Sequence, residues 1–144
     1  MKKIKLAIGS DHAGFELKEH LKNYLSDKVE LLDMGCFDTN RVDYPLIAKK
    51  VAQKVASKEA EKGIIVCGSG LGVCITANKT KGIRAVTCSE PISARLSRQH
   101  NDANILTLGG RLIGSVMAEE IVDVWLSTEF EGERHQKRID MIED

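Results

Sequence analysis

GIIVCGSGLGVCITAN, residues 63–78, is an apolar, β-branched run that breaks into alternate glycines and resumes as a helix-like segment. Gly63 to Val66 reads as a strand ending at Cys67, and Val73 to Asn78 as a short helix. Between them Gly68, Gly70 and Gly72 let the backbone turn sharply and gather N–H groups at one point. A strand feeding a helix through such a turn is the repeating unit of a parallel α/β sheet.

The same unit recurs on either side. Ile4 to Gly9 is strand-like, and Phe15 to Leu25 carries Leu17, Leu21 and Leu25 at helical spacing. Val29 to Met34 is again strand-like. Pro45 then opens a helical run to about Ser57, where its missing N–H costs nothing. Arg84 to Cys88 predicts a strand, Ser89 or Glu90 a cap, and Ile92 to Gln99 a helix. Ile105 to Leu108 is the last strand, followed by helices over Val116 to Leu126 and Glu133 to Ile142. This alternation predicts a single-domain three-layer α/β/α sandwich over residues 1–144, with a doubly wound (Rossmann-like), mostly parallel five-stranded sheet. Strand order is not readable. The apolar character of Val116 to Leu126 suggests a subunit interface, and the C-terminal helix, about 133–142, is a second candidate.

Composition narrows the function. Lys+Arg and Asp+Glu balance at 21 each, which removes the charge footprint of a nucleic-acid or anionic-membrane binder. No apolar run approaches the ~20 residues of a membrane span. The start, MKKIKLAIGSDH, has too short an apolar patch for a signal peptide, so a soluble, cytoplasmic chain is expected. Cys36, Cys67, Cys74 and Cys88 form no C-x-x-C pair, and no cluster of Cys and His at short spacing is visible. Disulfides and a metal site are therefore not expected.

In a doubly wound sheet, ligands sit beyond the carboxyl ends of the strands. Cys67 lies there, beside the glycine turn, where amide groups can bind an anion or a developing oxyanion. That setting activates a thiol as nucleophile or base; the other reading is a small buried residue closing a strand. The glycines fall one residue short of a dinucleotide fingerprint, and no G-K-[ST] follows to make a Walker loop.

Asp11 and His12 follow the first strand and suit hydroxyl binding, anion binding or acid–base work. Capping would explain Asp11 well and His12 poorly. His100 closes a helix, a position that stabilises its cation, and Asn101 and Asn104 also suit a turn. Arg134 and Arg138, four apart, share a helix face and could grip a phosphate, or could simply answer nearby glutamates.

Together the segments GSDHAGFELK (9–18), DYP (43–45), CGSGLGVCITANK (67–79), GIRAVTCSEPISARLSRQHNDAN (82–104) and GERHQKRI (132–139) resemble the type B ribose-5-phosphate isomerases. Their wider family includes galactose-6-phosphate and allose-6-phosphate isomerases. The resemblance spans nearly the whole chain. It implies a cofactor-free aldose–ketose isomerase of ribose 5-phosphate and ribulose 5-phosphate, working through an enediolate. On matching positions it implies Cys67 as the base and Gly68, Ser69, Gly70, Leu71 and Gly72 as the oxyanion hole. His100 would open the furanose, Asp11 would assist at the hydroxyl, and Asn101 would hold a sugar hydroxyl. His12, Arg111, Arg134 and Arg138 would hold phosphate. It also implies a homodimer or homotetramer whose sites draw residues from two subunits. Ser69 stands where some relatives carry threonine, which keeps the hydroxyl.

Two other readings stand beside it. One is the same reaction on a six-carbon sugar phosphate, since pocket depth is not written in the sequence. The other is a non-catalytic phosphosugar-binding module, which would need the glycine turn and the arginines but not the Cys67/His100 pair.

Overall fold

The computed structural model describes residues 2–144. Five strands form one sheet: β1 (Lys5–Ser10), β2 (Glu30–Asp33), β3 (Lys62–Cys67), β4 (Ala85–Thr87) and β5 (Ile105–Gly109). Every pairing is parallel and the order is β2-β1-β3-β5-β4. The expected sheet is present, and wholly rather than mostly parallel. Behind the leading lysines of β1 and β3, every residue of β1, β3 and β5 is buried, because both faces of these strands are covered.

Helices α1 (Phe15–Leu25), α4 (Pro91–Asn101) and α5 (Ser115–Ser127) cover one face. There Leu17, Leu21, Leu25, Ile121 and Trp125 meet Leu6, Ile8, Val66 and Leu108 from the strands. Helices α2 (Tyr44–Ala56) and α3 (Leu71–Ala77) cover the other face, with Val51, Val55 and Val73 against Ile65 and Ile105. Helix α6 (Arg134–Glu143) packs on α4 through buried His135 and Ile139. Among the described residues no helix is long and apolar enough to cross a membrane.

Local chemistry explains where the elements depart from their expected bounds. Helix α3 starts at Leu71, two residues early, because Gly70 at φ +80° turns the chain and Ser69 Oγ accepts the Leu71 N–H. Helix α4 begins at Pro91 behind a Glu90 cap, whose carboxylate accepts the Ser93 N–H. It continues to Asn101, where Asp102 at φ +45° ends it and its N–H reaches Arg98 O. The Arg98 guanidinium is buried and donates to Asp102, Ala103 O and Thr128 O, so it is a structural group. The apolar residues of α5 have a local explanation too. Ile121, Val122 and Trp125 fill the chain's own core, and only Val116 and Met117 stand exposed among its large apolar side chains.

A second buried charge steadies the loop beyond β2. Lys18 is fully buried and reaches the Asp33 carboxylate at 2.8 and 2.9 Å and Cys36 O at 2.5 Å. Burial alone would raise the Asp33 carboxyl, but hydrogen bonds from Lys18, Lys22 and the Gly35 N–H hold it below its usual range.

Lys62, at the start of β3, has the opposite balance. Burial, and then the charge of Arg98, push its ammonium down from 10.5 to about 8. Between those values the unfolded chain binds more protons, so this group's contribution to stability rises with pH across that window and is a cost below it. Lys62→Met is therefore expected to raise Tm at about pH 7, with a gain that shrinks toward about pH 10. Thermal melts at the two pH values check this, and a gain independent of pH would refute it.

Candidate active site

The chain order reverses between β1 and β3: β2 lies on one side of β1, while β3, β5 and β4 lie on the other. This is the switch point of the sheet, where the loops leaving adjacent strands diverge and open a crevice. A cleft of about 500 Å³ sits there. Asp11, His12 and Ala13 enter it from β1, and Cys67, Gly68, Ser69 and Gly72 from β3. Arg111 and Leu112 enter from beyond β5, and Tyr44 from the start of α2.

Cys67 ends β3 and is 5% exposed. Its Sγ accepts the Gly70 N–H at 3.1 Å, so an amide dipole is aimed at the sulfur. Gly70 is fixed in turn, since the hydroxyls of Thr107 and Thr87 lie 2.8 and 3.1 Å from its carbonyl oxygen. No side chain fits at Gly70: its φ is +80°, and a Cβ would lie 2.9 Å from the Leu108 carbonyl carbon. The turn is thus built around the thiol.

Asp11 is buried, and its Oδ1 accepts the Gly14 N–H at 3.0 Å, so the capping role is present. Its own N–H donates to Val66 O at 3.2 Å, which ties it beside the end of β3. His12 Nδ1 accepts the Val42 N–H at 3.3 Å, which leaves Nε2 as the protonated ring nitrogen of the neutral form. Arg111 lies along Gly68, to whose carbonyl oxygen its backbone N–H donates at 3.0 Å. Leu71 lines no part of this cleft: its side chain is 57% exposed, and its N–H is taken by Ser69 Oγ.

The other cysteines carry no comparable geometry. Burial pushes the Cys88 thiol up to about 11, which makes it an inert packing group. Cys36 and Cys74 stay free, and the four cysteines form no disulfide.

Tyr44 also belongs to the cleft. Its ring lies so close to Gly72 that a Cβ there would be 2.6 Å from Cε1. The signal was present in the segment DYP, but the approach depends on how α2 packs against α3. Thr87 and Thr107 were missed for a similar reason, since strand threonines look like ordinary sheet residues.

His100, Asn101, Arg134 and Arg138 form a second group elsewhere. Helix α4 runs back against the strands, so its last turn returns to the amino edge of the sheet. There Asn104 O accepts the Gly63 N–H, four residues before Cys67 on the same strand. At about 3.3 Å per residue, that places the His100 end of α4 on the order of 13 Å below the thiol. Asn101 O accepts from Arg84 Nε at 2.9 Å. Helix α6 joins this group, because the His100 and His135 rings stack with centroids 4.5 Å apart. Arg134 and Arg138 are both exposed on α6. A cleft of similar volume opens at this edge, with Lys79, Lys81, Arg84 and Asn101 in its lining, but it holds no thiol. One chain therefore carries these two groups of residues at opposite edges of its sheet.

His100, Glu131 and His135 also gather here, with one ligand atom of each within 4.8 Å of the others. No such cluster is visible in the sequence, because His100 lies 31 residues before Glu131 and the two meet only through the fold.

A switch-point thiol facing an amide N–H, beside a buried carboxylate and an arginine, equips the cleft to bind a small anion and to move a proton next to it. The model of the family described as Ribose/Galactose Isomerase matches residues 6–142, and the chain belongs to that family. It is similar to ribose-5-phosphate isomerase B of Escherichia coli K12, at 50% identity over 139 residues, covering 96% of this chain and 93% of that one. Among solved structures, a ribose-5-phosphate isomerase B from Clostridium thermocellum superposes with TM-score 0.96 at 48% identity, covering 97% and 95% of the two chains. A ribose 5-phosphate isomerase from Thermotoga maritima superposes with TM-score 0.95 at 55% identity, covering 97% of each.

Proposed function

We propose that this chain interconverts D-ribose 5-phosphate and D-ribulose 5-phosphate, with each active site assembled from two copies. The observation that carries the reading is the Cys67 Sγ held 3.1 Å from the Gly70 N–H at the switch point. Moving a proton between C1 and C2 needs a base at those carbons and donors for the oxygen that becomes negative. Cys67 thiolate takes the C2 proton of the open-chain aldose, the electrons pass to the C1 oxygen, and the enediolate forms. Transfer of the O2 hydroxyl proton to O1, and return of the abstracted proton from the Cys67 thiol to C1, give the ketose. The Gly70 and Leu71 amides are already engaged, so the enediolate oxygen falls to those of Gly68, Ser69 and Gly72.

Asp11 receives the hydroxyl proton as the ring opens, and His12 and Arg111 hold phosphate from the same chain. His100 of a second copy protonates the ring oxygen, Asn101 of that copy holds a hydroxyl, and its Arg134 and Arg138 complete the phosphate grip. Two features support the pairing. The half-sites lie on opposite edges of one sheet, and apolar side chains border the cleft end, with Leu71, Leu112 and Val116 57%, 70% and 70% exposed. Exposed Met141 and Ile142 on α6 offer apolar surface for the same contact at the other end. A homodimer is the smallest assembly that closes both sites.

The test is isomerisation by purified, metal-stripped protein, with allose 6-phosphate assayed alongside. Turnover of the pentose well above that of the hexose is expected. Turnover of allose 6-phosphate alone would move the substrate to six carbons, and turnover of neither would remove the isomerase reading.

A further inference from the structure

The His100 edge of the sheet carries an arrangement that sugar isomerisation does not call for. His135 is 5% exposed, and its Nε2 is buried with no hydrogen-bond partner among the described residues. A buried ring nitrogen left in that state is costly and rare. The nearest opposite charge is Glu131 Oε1 at 3.5 Å, outside good hydrogen-bond range. The stacked ring of half-buried His100 completes a set of two imidazoles and one carboxylate with ligand atoms within 4.8 Å of one another. We propose that His100, Glu131 and His135 bind a divalent cation of the zinc class, and that the filled site withdraws His100 from ring opening and so inhibits the enzyme. The inhibitory half of this rests on the role given to His100 above.

The donor set selects the metal. Two nitrogens and one carboxylate oxygen with a fourth position open suit tetrahedral Zn2+, whereas Mg2+ and Ca2+ ask for oxygen cages. The scaffold holds two of the donors from different directions. Glu131 is tied to α4 by its N–H on Gln99 O at 3.1 Å, and Arg98 Nε on Thr128 O anchors the same loop. His135 is locked by its packing, four residues from Glu131. His100, on the last turn of α4 and only half-buried, has room to tilt its ring toward the ion. Arg134 and Arg138 oppose a cation here, and Glu131 answers only part of their charge. That balance fits a reversible inhibitory ion better than a resident one.

The experiment titrates Zn2+ into untagged, metal-stripped full-length protein by calorimetry, with turnover followed in parallel, for the wild type and Glu131→Gln. Glu131 is exposed and outside the reaction, so the variant should fold and keep its basal turnover. The wild type should bind one Zn2+ per chain and lose activity reversibly on chelation. Glu131→Gln should weaken both binding and inhibition by at least about tenfold. Cys67→Ala should still bind Zn2+, which separates this site from capture by the thiol. Equal binding and inhibition in wild type and Glu131→Gln, or no binding in the wild type, would overturn the proposal. Binding is read without turnover, so a failed isomerase reading would leave the Glu131-dependent isotherm standing. A failed metal site would abolish that isotherm in an active enzyme.

Discussion

Cys67→Ala should lower turnover of ribose 5-phosphate by about 10²–10⁴-fold, the usual contribution of a positioned general base. Under the proposed mechanism the loss should fall on kcat, since it assigns Sγ to the proton at C2 and the phosphate to other side chains. The fold should survive the change. The thiol is small and buried, its one hydrogen bond is to the Gly70 N–H, and the threonine contacts to the Gly70 carbonyl stay in place. A Tm near that of the wild type would exclude unfolding as the cause. Cys88→Ala is the matched control, since that thiol is held neutral in the core away from the cleft. It should turn over normally. Near-normal turnover by Cys67→Ala would remove the thiol from the reaction.

Much of this fold is written in short spacings. Leu17, Leu21 and Leu25 mark the buried face of α1, and the alternate glycines after Cys67 mark the turn that shapes the cleft. Strand order is not written there. β3 reads KGIIVC and β5 ILTLG, and strands covered on both faces carry no alternation that would name a neighbour. The apolar pattern of α5 is equally silent on what it faces, because Trp125 and Ile121 would look the same in a subunit interface and in the chain's own core. The half-site around Cys67 is legible because Asp11 and His12 follow one strand and Cys67 to Gly72 follow its neighbour. Tyr44 and the Thr87–Thr107 support needed the packed structure, since each acts on the turn from a distant part of the chain. The separation of His100 from Cys67 follows from the parallel sheet itself. A helix that returns the chain to the next strand delivers its last turn to the opposite edge.

That separation makes subunit complementation the most direct test of the account. In the proposed homodimer Cys67→Ala and His100→Asn each remove one half of every site, so neither variant alone should be active. When the two chains are refolded together, half of the dimers should be mixed, and each mixed dimer should have one site with an intact Cys67 facing an intact His100. About a quarter of wild-type turnover should return, as two-fold symmetry and random pairing require. A mixture as inactive as its components would contradict the account, because it would place Cys67 and His100 in the same chain's site.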